Sequence, residues 1–244
     1  TQVLADYRAT QGLRTRVINV DDVYNQYNDG IFHPIAIKNF LRDAYLTWPA
    51  PAPTYVALVG DGHWNFKGYA ISGYATPANA PIYMPPNLNW VDPWQGEVDT
   101  SSYLAAVSGS DVFPDMAIGR ILVNSVAELN TVISKTMAFE QAGIVPYQRR
   151  ALFVADNIPD PAGAGDFIAS SEAAINYVSP NFAIDRIYEN DFGCVSLSSC
   201  PAVNYALTNT LNLTGALFVN YTGHGSLNRW SHESVFVNAN VATF

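Results

Sequence analysis

Short apolar runs alternate with segments of helical periodicity along most of the chain. Strands are predicted at 14–20, 55–59, 117–122, 150–155, 183–188 and 216–219, with a further short strand within 98–107. Helices are predicted at 3–12, 23–27, 34–48, 125–142, 167–178 and 201–211, and from 238 to the last residue. Strands that alternate with helices predict an α/β fold with a mainly parallel sheet.

Local signals refine this pattern. Asp21 and Asp22 are predicted to cap the helix at 23–27, Pro34 to open the next helix, and Ser125 to cap the long one. Residues 64–98 are rich in Pro, Gly, Asn and aromatics without a sustained period, which predicts a long loop. A linker at 143–150 precedes a second run of the pattern, so two units are predicted, 1–146 and 147–244.

Composition narrows the class of protein. Of 244 residues, 49% are hydrophobic and 14% charged, which favours a folded chain. The net charge of −9 disfavours a nucleic-acid partner and suits cationic substrates, bound Ca²⁺ or simple solubility. No apolar run approaches the roughly 20 residues of a membrane helix, so no membrane span is expected in this segment. The first residue is not Met, and we expect a piece of a larger parent chain or assembly.

Cys194 and Cys200 are six residues apart in a Ser-rich loop. A disulfide there implies an oxidising compartment, whereas two free thiols are the alternative. A metal site is disfavoured because no further ligand stands nearby. The histidines other than His224 show no ligand spacing with each other, so zinc catalysis has no support.

His224 is the leading candidate for chemistry. The apolar run at 216–219 leads into Thr222-Gly-His-Gly-Ser226, which is too rich in Gly to continue a strand. Ligands of α/β sheets bind at the carboxyl ends of strands, so His224 occupies the place of a catalytic base. A plain turn histidine is the alternative.

Four segments in order resemble the gingipain-type cysteine peptidases of family C25, which share the caspase-like fold. They are Leu4-Ala-Asp-Tyr-Arg8 with Gln11-Gly-Leu-Arg14; Leu58-Val-Gly-Asp61; Gly109-Ser-Asp with Ile118-Gly-Arg120; and Val219-Asn-Tyr-Thr-Gly-His-Gly-Ser226 with Trp230 and Phe236. The resemblance covers nearly the whole chain.

The resemblance implies two α/β/α subdomains side by side and a secreted cysteine endopeptidase that acts on polypeptides and needs no catalytic cofactor. His224 would be the general base and the Gly225 N–H an oxyanion-hole donor. The family nucleophile is a Cys after the next strand, and neither Cys194 nor Cys200 follows His224. We therefore expect a fragment truncated at both ends, inactive as given, with its nucleophile beyond Phe244.

Further roles follow from the resemblance. Asp166 would bind the Arg or Lys that precedes the cleaved bond, or simply cap the next helix. Trp230 would form a wall of that pocket, or pack in the core. The acid that orients His224 is expected after the strand at 150–155, where Asp156 and Asp160 are available but the family position aligns near Ile158. Structural Ca²⁺ is expected at Asp92/Glu97/Asp99 or Asp111/Asp115.

Two rival functions use the same fold. A sortase-like transpeptidase would pass the same thioester to an amine rather than to water. A non-catalytic surface module would use the fold for binding alone.

Overall fold

A computed structural model describes residues 1–70, 82–93, 95–158, 163–194 and 199–244. The chain divides into two units, Thr1–Gln141 and Ala142–Phe244. The sequence places this boundary between 146 and 147, within the linker.

The first unit contains a two-stranded parallel sheet and an antiparallel hairpin. Its elements in chain order are α1 Gln2–Thr10, α2 Val20–Tyr27, α3 Pro34–Thr47, β1 Tyr55–Val59, β2 Leu88–Asp92, β3 Gly96–Asp99, a 3₁₀ helix Ser101–Ala105, β4 Ala117–Ile121 and α4 Val126–Gln141. Strand β1 pairs in parallel with β4, and β2 pairs with β3. Helix α3 buries Ala36, Ile37 and Leu41 against a core that includes Leu58 and Met116.

The second unit contains the predicted parallel sheet, in the order β6-β5-β7. Its elements are a 3₁₀ helix Pro146–Arg149, β5 Arg150–Ala155, α5 Phe167–Ile175, β6 Ala183–Tyr188, a 3₁₀ helix Glu189–Phe192, α6 Pro201–Leu213, β7 Phe218–Thr222, β8 Arg229–Trp230, β9 Phe236–Val237 and α7 Asn238–Val241. Strands β8 and β9 form a short antiparallel pair.

Central strand β5 organises this unit because its side chains alternate between two helix-covered faces. Leu152 and Val154 pack with Val203 and Leu207 of α6. The other face presents Ala151, Phe153 and Ala155 to a cluster that includes Phe167 of α5. Residues 151–155 are all at most 2% exposed, which explains the uninterrupted apolar run in the sequence.

Three predicted elements differ from the structure. Residues 13–19 form no strand, because this alternating segment is exposed and pairs with no strand in the described part of the chain. The predicted loop 64–98 contains hairpin strand β2 and the start of β3, and the strand predicted within 98–107 is mostly the 3₁₀ helix. Residues 71–81 and 94 of that loop lie outside the described residues.

Helix caps follow the predicted chemistry with one correction. Ser125 Oγ accepts a hydrogen bond from the Glu128 backbone N–H (3.2 Å), as a cap at that position requires. Helix α2 begins earlier than predicted, and Asn19 caps it through the Asp21 N–H at 3.1 Å. Asp21 and Asp22 lie in its first turn, where carboxylates interact favourably with the positive end of the helix dipole.

We predict that Leu207→Ala destabilises the second unit by about 2–5 kcal/mol, because it leaves a cavity against β5. The matched control is Leu213→Ala on the same helix, where the side chain is 78% exposed. Denaturant unfolding measures both. Equal losses in the two variants would contradict the packing described here.

Candidate active site

The carboxyl ends of three parallel strands bring the candidate side chains together. Ala155 pairs with Thr222 on one side and with Tyr188 on the other. The residues that follow these strands therefore meet at one edge of the sheet: Asp156 after β5, Glu189 after β6, and Gly223 and His224 after β7. Strand β7 extends to Thr222, three residues beyond the predicted end, so the turn that carries His224 begins directly at the sheet.

A buried carboxylate holds the His224 turn. Asp156 Oδ2 accepts a 2.8 Å hydrogen bond from the His224 backbone N–H and lies 3.4 Å from its imidazole Nδ1. The other oxygen, Oδ1, accepts from the Asn157 N–H at 2.8 Å. The Asp156 side chain is 3% exposed and that of His224 is 29% exposed. A fixed carboxylate thus faces an imidazole that solvent reaches.

Asp156 is therefore the acid beside His224. The position expected from the resemblance, Ile158, instead exchanges two 2.8 Å hydrogen bonds between its backbone and the Asn190 side chain. Asp160 lies outside the described residues.

At Gly223 the backbone of the turn passes very close to the side chains of Asp156 and Tyr221. A Cβ at this position would overlap Asp156 Cβ and lie 2.6 Å from Tyr221 Oη. The Tyr221 hydroxyl donates to the His224 carbonyl oxygen at 2.6 Å. Burial, with the Asp156 charge adding to it, raises the pKa of Tyr221, which keeps this donor protonated. Only glycine lets the chain pass between these two side chains.

Two rings flank the imidazole of His224. Phe167, the first residue of α5, packs edge-on with ring centroids 5.2 Å apart, and His232 lies 5.3 Å away. Asp166 directly precedes Phe167, so the predicted specificity residue lies one position from a side chain that contacts His224.

The turn after His224 is closed by two backbone hydrogen bonds. Ser231 N–H donates to His224 O at 2.8 Å, and Ser226 N–H donates to Arg229 O at 2.9 Å. Neither bond uses the Gly225 N–H. A Cβ at Gly225 would meet only Arg229 O, at 3.7 Å, and the residue is exposed, so its side-chain position is open.

The structure shows structural contacts for both predicted substrate-binding residues. Asp166 caps α5, with Oδ1 accepting from the Ala169 N–H at 2.8 Å. Trp230 stacks on Tyr221 with centroids 4.6 Å apart and packs against Phe236. These contacts are the alternatives foreseen for each residue, and their roles toward a substrate stay predictions.

Cys194 and Cys200 form a disulfide, so the alternative of two free thiols is wrong. The bond joins two site-bearing segments. Cys194 N–H donates to Glu189 O at 3.1 Å, and Cys200 N–H donates to Glu233 O at 2.9 Å. The connecting residues 195–198 lie outside the described residues.

The acids predicted to hold Ca²⁺ have local partners. Asp115 accepts two backbone N–H groups at 2.7 and 2.8 Å, and Asp99 accepts the Asn87 N–H and the Ser101 hydroxyl. Asp92 and Asp111 each accept a backbone N–H two or three residues ahead. Calcium at these positions, which also include Glu97, stays a prediction.

Two further buried acids were not identified from the sequence. Glu189 and Glu233 are 0% and 1% exposed and lie with Asp156 in one cluster. Burial, together with the charges of Asp156 and Glu233, raises the pKa of Glu189 to about 8. The sequence could have identified Glu189, because it directly follows a predicted strand at the sheet edge that bears His224. Glu233 lies in a segment without periodicity, so no sequence pattern indicated it.

Fold and site together define a class. A histidine beside a buried carboxylate, at the carboxyl edge of a parallel α/β sheet, is an arrangement suited to acid–base chemistry. The family model for peptidase family C25 matches residues 1–244, and the chain belongs to this family of cysteine peptidases.

Individual relatives agree with this membership. The chain is 27% identical over 240 residues to "Lys-gingipain HG66" of Porphyromonas gingivalis, covering 88% of this chain and 13% of that protein. It is 25% identical over 236 residues to "Lys-gingipain W83", covering 86% of this chain and 13% of the relative. The chain thus spans about one eighth of the length of these relatives.

A solved structure supports the fold. The crystal structure of "the Arg specific cysteine proteinase gingipain R (RGPB)" matches 96% of this chain and 49% of that chain, with a TM-score of 0.56 at 21% identity. The predicted α/β fold with mainly parallel, caspase/gingipain-like sheets is confirmed. No described helix is both long and apolar enough to cross a bilayer.

We predict that Gly223→Ala destabilises the protein by about 1–3 kcal/mol and displaces Asp156 from the His224 N–H, because the added methyl overlaps the Asp156 side chain. The control is Gly119→Ala in β4, where an added Cβ meets nothing within 4 Å. Denaturant unfolding and a crystal structure of the variant measure the two effects. An unmoved Asp156 would contradict the prediction.

Proposed function

We propose that this domain is the histidine-bearing part of a secreted cysteine endopeptidase, with His224 as general base. The observation that carries the proposal is the imidazole of His224, partly open to solvent and 3.4 Å from the buried carboxylate of Asp156. Membership of peptidase family C25 supports the same reaction class.

The chemistry has two stages. In the first, His224 takes the thiol proton, the thiolate attacks the scissile carbonyl carbon, and the imidazolium protonates the departing amine. The Gly225 N–H stabilises the oxyanion, for which the open space at this residue gives room. In the second, His224 takes a proton from water, the hydroxide attacks the thioester, and the proton returns to the leaving thiolate.

Asp156 acts through His224. Its two backbone hydrogen bonds fix the carboxylate, and its charge near Nδ1 stabilises the imidazolium formed in each stage. Nε2, on the far side of the ring, is the proposed atom of proton exchange with thiol and amine. Asp156 is thus proposed as the positioning acid.

The proposed nucleophile is neither Cys194 nor Cys200. Cys194 and Cys200 are bonded to each other, so neither provides a thiolate while the disulfide is intact. We propose that a cysteine in the parent chain, past Phe244, is the nucleophile. The disulfide also supports an extracellular location, because such bonds persist in oxidising compartments.

Cleavage after Arg or Lys is proposed through Asp166, with Trp230 near the same pocket. The relatives are named for Lys and the solved structure for Arg, both cationic. Asp166 is exposed, and the side chain of the next residue, Phe167, contacts the His224 ring, which supports a place for Asp166 beside the substrate. A carboxylate there would form a charge-assisted pair with guanidinium or ammonium.

We predict that, in the parent protein, His224→Ala lowers kcat/KM for peptide hydrolysis by about 10²–10⁴-fold, because the general base is lost. Asp156→Asn should lower kcat more than it raises KM, since it removes the charge that stabilises the imidazolium. Steady-state hydrolysis of a peptide substrate measures both.

Glu172→Gln is the control, because the half-buried Glu172 pairs with Arg186 and the Tyr188 hydroxyl and has no proposed role in catalysis. Full activity of His224→Ala would reject the proposal. Mass spectrometry with an added amine acceptor separates hydrolysis from transpeptidation, since a ligated product would identify the transpeptidase.

We predict that Asp166→Asn lowers kcat/KM for Arg and Lys substrates by roughly 10- to 100-fold, the worth of a hydrogen-bonded charge. Asparagine caps a helix as well as aspartate, so α5 should stay stable. Asp166→Ala should lose both the preference and about 1 kcal/mol of stability. Cleavage profiling on a peptide library and thermal unfolding distinguish the two roles, and an unchanged profile in Asp166→Asn would leave capping as the only role of Asp166.

A further inference from the structure

Three buried carboxylates meet beneath the His224 turn. Asp156 follows β5, Glu189 follows β6, and Glu233 follows β8. Each offers one oxygen, and these three oxygens lie within 4.8 Å of one another. All three residues are at most 2% exposed, so water does not screen their charges.

Two of the three carboxylates have few or no hydrogen-bond donors. Both oxygens of Glu233 are buried without a partner, and Glu189 has only the side chains of Ser231 and Asn157 as donors, whereas Asp156 accepts backbone N–H groups. Among the described residues, His224 is the one basic side chain in ion-pair range of the cluster, and it faces Asp156. Buried carboxylates with so few donors and one facing imidazole are costly, so the cluster favours the binding of a cation.

We infer that Asp156, Glu189 and Glu233 bind a hard divalent cation, Ca²⁺ in first place. Carboxylate oxygens are the ligands of Ca²⁺ and Mg²⁺, while Zn²⁺ favours nitrogen and sulfur. Oxygens on opposite sides of Ca²⁺ are about 5 Å apart, so three within 4.8 Å fit around one ion. Mg²⁺ keeps several waters, which a buried site disfavours.

The surrounding covalent structure prepares this site. The Cys194–Cys200 disulfide connects residues whose N–H groups donate to the carbonyls of Glu189 and Glu233. It therefore holds Glu189 and Glu233 close together before any cation binds. Cation binding is therefore measured directly, without relying on peptidase activity.

The test uses the parent protein after treatment with a chelator. Calorimetric titration with Ca²⁺ alone gives the number of bound ions, and thermal unfolding gives the shift in Tm. Glu189→Gln and Glu233→Gln should each bind one ion fewer, or bind it at least tenfold more weakly. The matched control is Asp191→Asn, an exposed acid two residues from Glu189, which should bind as the wild type does.

The sign of the Tm change separates a cation site from ordinary destabilisation. Without Ca²⁺, Glu233→Gln should match or exceed the wild-type Tm, because it removes one uncompensated charge. With saturating Ca²⁺, the order should reverse. Unchanged Ca²⁺ stoichiometry and unchanged Tm shifts in both variants would overturn the inference and leave protons as the neutralising groups.

A crystallographic measurement needs no variant. Wild-type crystals soaked with Mn²⁺, a hard cation with an anomalous signal, should show a peak that contacts Glu189 and Glu233 and that excess Ca²⁺ displaces. An empty cluster at saturating Mn²⁺ and Ca²⁺ would equally overturn the inference. Displacement by Mg²⁺ alone would reject Ca²⁺ as the favoured ion.

Discussion

The candidate site depends on the buried carboxylate of Asp156. It accepts the His224 backbone N–H, faces the imidazole and accepts the Asn157 N–H, so one side chain fixes the histidine and its own loop. Removing a single partner of a buried carboxylate costs more than the bond itself, since the charge stays desolvated. The turn and the acid are therefore stable only together, and Gly223 provides the space that lets them meet.

The sheet explains why these residues can meet at all. Strand β5 lies between β6 and β7, and parallel pairing aligns the residues after all three strands. Helices α5 and α6 cover opposite faces, which keeps β5 dry and its neighbours in register. The same arrangement places Phe167 at the start of α5 against the His224 ring, so a helix that closes the core also forms part of the site.

Much of this arrangement follows from local sequence. Strands β1 and β5 were predictable because each contains a short apolar run, β4 and β6 because short strand-like segments alternate with helical ones, and His224 because glycines flank it after an apolar run. The wrong predictions have a common cause: whether a segment forms a strand depends on a pairing partner that is distant in sequence. Residues 13–19 alternate yet pair with no strand among the residues that the structure describes, and the hairpin β2–β3 lies in a segment without periodicity. Asp156 is recognisable as the acid only once register places it beside Thr222.

The buried acids show the limit of such prediction most clearly. Nothing local distinguishes Glu233 from a surface glutamate, because its burial depends on the β8–β9 pair and on the backbone bond from Cys200. Burying carboxylates without partners opposes folding, and the disulfide opposes that loss by restricting the unfolded chain. The buried acids lie next to the candidate catalytic acid. A positive charge bound among them would therefore affect both the stability of the fold and the charge that faces His224. Asp156 is the shared group, since it belongs to the cluster and to His224 alike.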